Sequence, residues 1–191
     1  MLARAMRYDH MAFPSFDVEA THHFYKDVLG FALVTAYSGM SPEWGNKAYV
    51  MMIYDVGGGE QLVFFGLAGM KRPPKDGLPR DIRHVALTAP SASALAQWRK
   101  RLVRSRVAFW EEDHGNQQSI YFSDPNGLVL EVTFPASRKA LLHDESAESV
   151  VTEWIRRQAR SGGPAKARRG NGKAPSATQK APTAKSARKR N

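Results

Sequence analysis

One internal repeat narrows the fold of this chain more than any other feature. The segment His10-Met-Ala-Phe-Pro-Ser-Phe-Asp17 is echoed by His84-Val-Ala-Leu-Thr-Ala-Pro-Ser91. In each copy a histidine sits in an apolar, strand-like run, and seven positions later comes Asp17 or Ser91. Both are good helix N-caps, because their side-chain oxygens accept from the free amides of a first helical turn. Helix-like periodicity follows each cap, over Val18–Leu29 and over Ala92–Val103. Phe24 and Trp98 each stand fourteen residues after their histidine. A chain that repeats histidine, cap and ring at one offset is built from two copies of one unit.

Three strand-like runs follow each helix. They are Phe31–Tyr37, Lys47–Val56 and Gln61–Gly66 in the first half, and Val107–Trp110, Ser119–Phe122 and Leu128–Phe134 in the second. Each half therefore reads β-α-β-β-β, an α+β fold of paired modules at about 5–67 and 82–135 within a domain of residues 1–135. Gly57-Gly58-Gly59 and Asp124-Pro125-Asn126-Gly127 read as hairpin turns, with Pro and Gly in the second turn at positions that suit them. Residues 68–81, with three prolines, join the halves. Residues 136–160 read as a C-terminal helix, running from about Ser137 with Leu141, Leu142, Val150, Val151, Trp154 and Ile155 as its apolar stripe.

The net charge of +10 is unevenly placed. Ten of the 28 basic residues lie between Arg160 and Asn191, where there is no acid, so the rest of the chain is formally neutral. Residues 161–191 hold almost nothing large and apolar, too little to offset their ordering entropy, and the expectation is a disordered basic tail. Phosphate neutralisation by that tail would give weak, salt-sensitive contact with nucleic acid, without aromatic stacking. There is no cysteine, which excludes disulfides and thiolate chemistry. No apolar run approaches the ~20 residues of a membrane span, and residues 1–11 hold no signal-length apolar stretch. The expected setting is the cytoplasm, away from membranes.

The chemistry centres on His10, His84 and Glu131. Glu131 lies in Leu128-Val-Leu-Glu-Val-Thr-Phe134, where an unpaired carboxylate would be costly to bury. Alternation places it on one strand face with Val129 and Thr133. A lone strand histidine is more often a hydrogen-bonded core residue than a ligand. Two repeat-matched histidines and a strand-embedded glutamate favour a metal site instead. Two imidazoles and one carboxylate form a facial triad that leaves about three positions open on an octahedral ion.

Four stretches carry a resemblance: Asp9-His10-Met-Ala-Phe, Phe24-Tyr25-Lys-Asp-Val-Leu-Gly-Phe31, His84-Val-Ala-Leu, and Ser119-Ile-Tyr-Phe-Ser-Asp-Pro-Asn-Gly-Leu-Val-Leu-Glu131. Over about residues 5–135 the chain resembles the vicinal oxygen chelate superfamily, which includes glyoxalase I, extradiol dioxygenases, fosfomycin-resistance enzymes and bleomycin-binding proteins. The resemblance implies paired βαβββ modules forming a curved mixed sheet around a metal held from the first and last strands of each module. Three of the four ligand positions are then His10, His84 and Glu131. Aligning Leu62-Val63 with Leu128-Val129 puts Phe65 at the fourth, whereas a shifted register would put Gln61 or Glu60 there. The missing acid argues against glyoxalase I and the related CoA epimerase, which supply four protein ligands.

The run from His114 to Glu131 is similar to the dioxygenase signature, which implies that His114 and Tyr121 line the pocket and assist by hydrogen bonding or proton transfer. Glu112 departs from that pattern, since a small or apolar residue or Asn is usual there. Ring-cleaving relatives also carry an acid–base histidine between the ligand histidines, and here that interval offers only His22 and His23, read as a solvated helix face. Glu111 and Glu112 stand where the fosfomycin enzymes carry a phosphonate-binding Lys, which disfavours fosfomycin. Tyr49, Met51, Ile53, Phe65 and Trp110 are either core or pocket lining. The resemblance thus implies a metal-dependent enzyme, most like an extradiol-type dioxygenase, for a small substrate with two adjacent oxygens. Fe(II) or Mn(II) is the expected ion, with Zn(II) or Ni(II) as alternatives. Other readings are a glyoxalase-like lyase, isomerase or thiol transferase, and a drug-binding protein. A homodimer completes the expectations.

Overall fold

The computed structural model describes residues 8–79, 81–135 and 146–160. Its contacts divide the chain into two units, residues 1–142 and 143–191. The first holds both modules. Module one runs β1 (His10–Ser15), α1 (Val18–His23), a π-helical turn (Phe24–Val28), β2 (Ala32–Ser41), a 3-10 turn (Pro42–Trp44), β3 (Lys47–Gly57) and β4 (Glu60–Leu67). Module two runs β5 (His84–Thr88), α2 (Ala92–Arg104), β6 (Phe109–Asp113), β7 (Gln118–Ser123) and β8 (Val129–Phe134). The strand orders β1-β4-β3-β2 and β5-β8-β7-β6 are the same, with one parallel pair in each sheet. The two βαβββ modules read from the repeat are therefore present, each element within a few residues of its expected bounds.

The caps act as their chemistry requires. Asp17 Oδ1 accepts from Ala20 N at 2.9 Å and Ser91 Oγ from Ala94 N at 3.1 Å. The first helix differs from expectation in one respect. Its second half is a π-helical turn, closed by Leu29 N donating to Phe24 O at 2.9 Å, and the wider turn lets two successive rings, Phe24 and Tyr25, enter the core. His22 is a correction. Instead of lying on a solvated face, it turns toward β3, where its Nδ1 is 2.8 Å from the buried Tyr54 hydroxyl. His23 is exposed and pairs with Asp27 at 3.0 Å, as a surface histidine would.

Strand alternation decides everything about the site. Met52, Tyr54, Leu62 and Phe64 from sheet one and Ile120, Phe122, Leu130 and Val132 from sheet two belong to a single core. Their neighbours along each strand point to the opposite, off-core face. Rings from both modules meet in that core: Phe24 with Phe122 at 6.4 Å and Phe31 with Trp98 at 6.0 Å. Each fully buried large side chain contributes about 1.5–3 kcal/mol, so the core is held chiefly by this interdigitation. Gly66 permits a close approach, since a Cβ there would lie 2.3 Å from Val18 Cγ2.

The Asp124–Gly127 turn is as expected, with Gly127 N donating to Asp124 O at 3.0 Å and a φ of +86° at Gly127. Gly57, Gly58 and Gly59 all have positive φ in the β3–β4 turn. The second unit is described by α3 (Ala147–Arg160), and residues 136–145, over which the expected helix would begin, lie outside the described residues. Val150, Val151, Trp154 and Ile155 of its stripe are exposed. Leu141 and Leu142, together with the tail of residues 161–191, lie outside the described residues. No helix among the described residues is long and apolar enough to cross a membrane.

Candidate metal centre

Glu131 is the centre of the off-core face of sheet two. Alternation along β8 sends Leu130 and Val132 into the core and Glu131 the other way, yet the residue remains only 6% exposed. A carboxylate so placed needs partners. Ser119 Oγ, on the neighbouring strand, donates to its Oε1 at 2.5 Å and lies 2.9 Å from Thr133 Oγ1. Its second oxygen, Oε2, faces His84 Nε2 at 2.9 Å.

The His84 contact carries a chemical demand. Asp81 O lies 2.6 Å from His84 Nδ1 and, being a carbonyl, can only accept, so Nδ1 carries the proton. Nε2 of a neutral ring then presents a lone pair to a carboxylate oxygen. Two acceptors at that distance need a positive centre between them, either a second proton or a metal cation. Two ligand atoms ~2.1 Å from one ion and at right angles are about 3.0 Å apart, which is close to the 2.9 Å observed. His10 has the same internal arrangement: Asp9 Oδ1 is 2.6 Å from its Nδ1, which leaves Nε2 to accept or ligate.

His84 and Glu131 thus come together, and His10 does not join them in a ready-made set. Among the described residues no three His, Cys, Asp or Glu side chains cluster as a metal site. His10 begins β1 of the other sheet, and its ring is turned to the exposed Asp9 and half exposed itself. It does line a cavity of about 130 Å³ shared with Gln61 and with Ala86, the residue paired with Glu131 in the β5–β8 ladder.

The register corrects the fourth position. His10 pairs with Gln61 and Ala12 with Val63 in the first ladder, and His84 pairs with Val129 and Ala86 with Glu131 in the second. Val63, not Phe65, is therefore the counterpart of Glu131. The expected position differs by two residues because the apolar runs of β4 and β8 fit either register equally well. Gln61 lies one pleat away, opposite His10, and Glu60 begins the strand.

Tyr121 is the direct cross-strand partner of Glu131. Burial first, and then hydrogen bonding to that carboxylate, push its phenol up to about 12. His114 Nε2 lies 3.2 Å from the Tyr121 hydroxyl, and the Trp110 ring stacks on Tyr121 at 5.1 Å. Trp110 Nε1 donates to Glu112 at 2.9 Å, so Glu112 belongs to this face. Glu111 does not. It points the other way and is held below the usual carboxylate range, first by hydrogen bonds from Arg99. The expected acidic pair is in fact one acid, because alternation separates neighbours. Asp9, Asp81, Ser119 and Thr133 orient the candidate ligands and were not singled out by sequence. Asp9 stands beside a histidine, Thr133 shares the strand face of Glu131, and Ser119 opens a family-like stretch, whereas Asp81 carries no signal of its own. Tyr49, Met51, Ile53, Phe65 and Trp110 alternate with core residues and so lie on the off-core faces.

Comparison with known proteins agrees with this architecture. The family profile described as "Glyoxalase/Bleomycin resistance protein/Dioxygenase superfamily" matches residues 7–132. No curated protein matches the chain. Similar solved structures include a glyoxylase/bleomycin resistance protein/dioxygenase domain from Frankia sp. EAN1pec, at 16% identity and TM-score 0.58 over 70% of this chain and all of that one. A lactoylglutathione lyase from Agrobacterium tumefaciens matches at 20% identity and TM-score 0.51, over 68% of this chain and 94% of that one. The fosfomycin resistance protein FosX from Listeria monocytogenes, complexed with Mn(II) and 1S,2S-dihydroxypropylphosphonic acid, matches at 15% identity and TM-score 0.52, over 72% and 99%. At these identities the structures speak for the fold alone. With two like-ordered βαβββ sheets and a family match across both, the chain belongs to the glyoxalase/bleomycin resistance protein/dioxygenase superfamily.

Proposed function

We propose that this protein is a metal-dependent enzyme in which His84 and Glu131, joined by His10, hold a divalent cation for a small substrate with two adjacent oxygens. The observation that carries the reading is the 2.9 Å approach of His84 Nε2 to Glu131 Oε2 with Nδ1 already committed to Asp81 O. Ser119 fixes the carboxylate, and Asp9 and Asp81 fix the two imidazoles. Such outer partners are what a ligand set needs to keep one orientation. When bound, the ion supplies Lewis acidity and a place to gather two substrate oxygens.

The chain's own residues supply the rest. Tyr121 points its hydroxyl into the same face and is positioned to donate to a substrate oxygen. His114, at 3.2 Å from that hydroxyl and 42% exposed at its side chain, links it to solvent as a proton carrier. Trp110 covers the ring of Tyr121 and holds water from one side. The His114–Tyr121 pair favours an extradiol-type dioxygenase using Fe(II) or Mn(II). Val63 at the fourth position disfavours a four-ligand glyoxalase. A non-oxidative lyase or isomerase, with Zn(II) or Ni(II) also eligible, is favoured by one observation: His22 is bound to Tyr54, so among the described residues the off-core faces offer no acid–base imidazole besides His114.

The experiment is metal analysis of protein purified without chelator, followed by oxygen uptake with a panel of catechols after anaerobic Fe(II) loading. Retained metal and oxygen uptake are expected. Turnover under nitrogen with Mn(II), Ni(II) or Zn(II) would assign the second reading. No retained metal and no turnover in either atmosphere would overturn both.

A further inference from the structure

The off-core face of sheet one has a character that sheet two lacks. Ala12, Pro14, Trp44, Phe65, Leu67 and Met70 enclose an open hollow of about 330 Å³, and every residue lining it is apolar. Trp44 reaches it from the 3-10 turn between β2 and β3. Its indole stands edge-on to Phe65 at 5.6 Å and to Tyr49 at 5.5 Å, and it remains 41% exposed. Water against such a wall gains no hydrogen bonds from it, so displacement by an apolar group is favourable.

The hollow is also correctly placed. Ala12 and Pro14 follow His10 by two and four residues on β1 and share its face, about 7 and about 13 Å along the strand. The chemistry of the occupant follows from the lining. A charged or hydrogen-bonding group would lose its water without compensation. Trp44 and Phe65 offer ring edges and faces, and Met70 a thioether, all of which favour an aromatic guest. The volume exceeds the ~150 Å³ void that accepts benzene, so a substituted ring fits.

We propose that this hollow seats an uncharged aryl group of the same ligand whose adjacent oxygens would be gathered by the cation that His84, Glu131 and His10 hold, an assignment that rests on the metal-site reading. One sheet then handles the oxygens and the other the ring. Compounds with two neighbouring oxygens but no aryl arm are poor ligands.

The test uses the full chain with 13C-methyl methionine and indole, an aryl probe with no adjacent oxygens. Indole is expected to shift the Met70 methyl resonance saturably. Ala12→Phe, which fills the hollow from an exposed strand position, and Trp44→Ala should each weaken this at least about tenfold, and His84→Ala should leave it unchanged. An aryl-substituted catechol should bind metal-loaded wild type at least about tenfold tighter than catechol, and no tighter in Ala12→Phe. No Met70 shift up to the solubility of indole, an equal shift in Ala12→Phe, or a shift that tracks protein self-association would overturn the assignment. A protein that binds indole as expected but retains no metal would instead refute the metal-site reading and leave the aryl site standing.

Discussion

The Tyr25 hydroxyl donates to Asp124 Oδ2 at 3.1 Å, tying the first helix of module one to the last turn of module two across 99 residues of chain. The same turn reaches back twice more. Asn126 Oδ1 accepts from Phe16 N at 2.9 Å, and Asn126 Nδ2 donates to Thr21 Oγ1 at 3.0 Å. Asp124 Oδ1 meanwhile accepts from its own turn, from Asn126 N and Leu128 N at 2.8 Å. Replacing Asp124 by Asn puts a donor among these donors. Asp124→Asn should lower unfolding free energy by about 1–3 kcal/mol in urea titration.

Asp124 also gives a pH dependence with a definite sign. Burial, the largest influence, raises its pKa above the ordinary 3.8 despite its hydrogen bonds. Between the ordinary and the raised value the folded state binds more proton than the unfolded state. Stability from this group therefore falls as pH rises through that window, and its penalty is fully present above the raised value. Urea titrations from about pH 7 down to about pH 4 should show wild type gaining on Asp124→Asn as pH falls. A constant difference would show that the carboxyl titrates normally.

Ser119 should matter to metal binding without touching the ion. Its hydroxyl holds Glu131 Oε1 at 2.5 Å. Ser119→Ala is expected to weaken divalent-ion affinity by about tenfold or more, with the circular dichroism spectrum unchanged. Glu131→Gln and His84→Ala should weaken it further, as read by competition against a chromophoric chelator.

Gly66→Ala should destabilise the domain by about 1–3 kcal/mol, because the new methyl meets Val18 Cγ2 at 2.3 Å and Val50 Cγ1 at 3.1 Å. Adding Val18→Ala should recover part of that loss. A double-mutant cycle in denaturant with no coupling would mean that α1 moves aside freely.

Deleting residues 161–191 removes nine Lys or Arg and takes the net charge from +10 to +1. Metal content and thermal midpoint are expected to stay unchanged, while retention on DNA or heparin at low salt falls sharply. Loss of metal or a melting point several degrees lower would assign the segment a structural role.

The repeat made the architecture legible because its elements are local. Caps, helix periodicity and strand alternation are each decided within about ten residues, and Asp17, Ser91 and the Asp124–Gly127 turn all behave as their neighbours require. Position across strands is a different kind of information. Val63 rather than Phe65 opposes Ala12, Glu111 leaves Glu112 for Arg99, and His22 seeks Tyr54. Each is set by register or helix rotation, which a one-dimensional pattern leaves open by one or two residues. Trp44 gave no sequence signal, since a lone ring between strands gains meaning only from the walls it faces.

The rings of the two modules interlock in one core, Phe24 against Phe122 and Phe31 against Trp98. Neither half therefore owns a complete interior. A fragment ending in the linker would leave Phe24 and Phe31 without the rings they pack against. Two such fragments, supplied together, have every reason to find each other. The module is the unit that the sequence repeats, and the pair is the unit that closes the core.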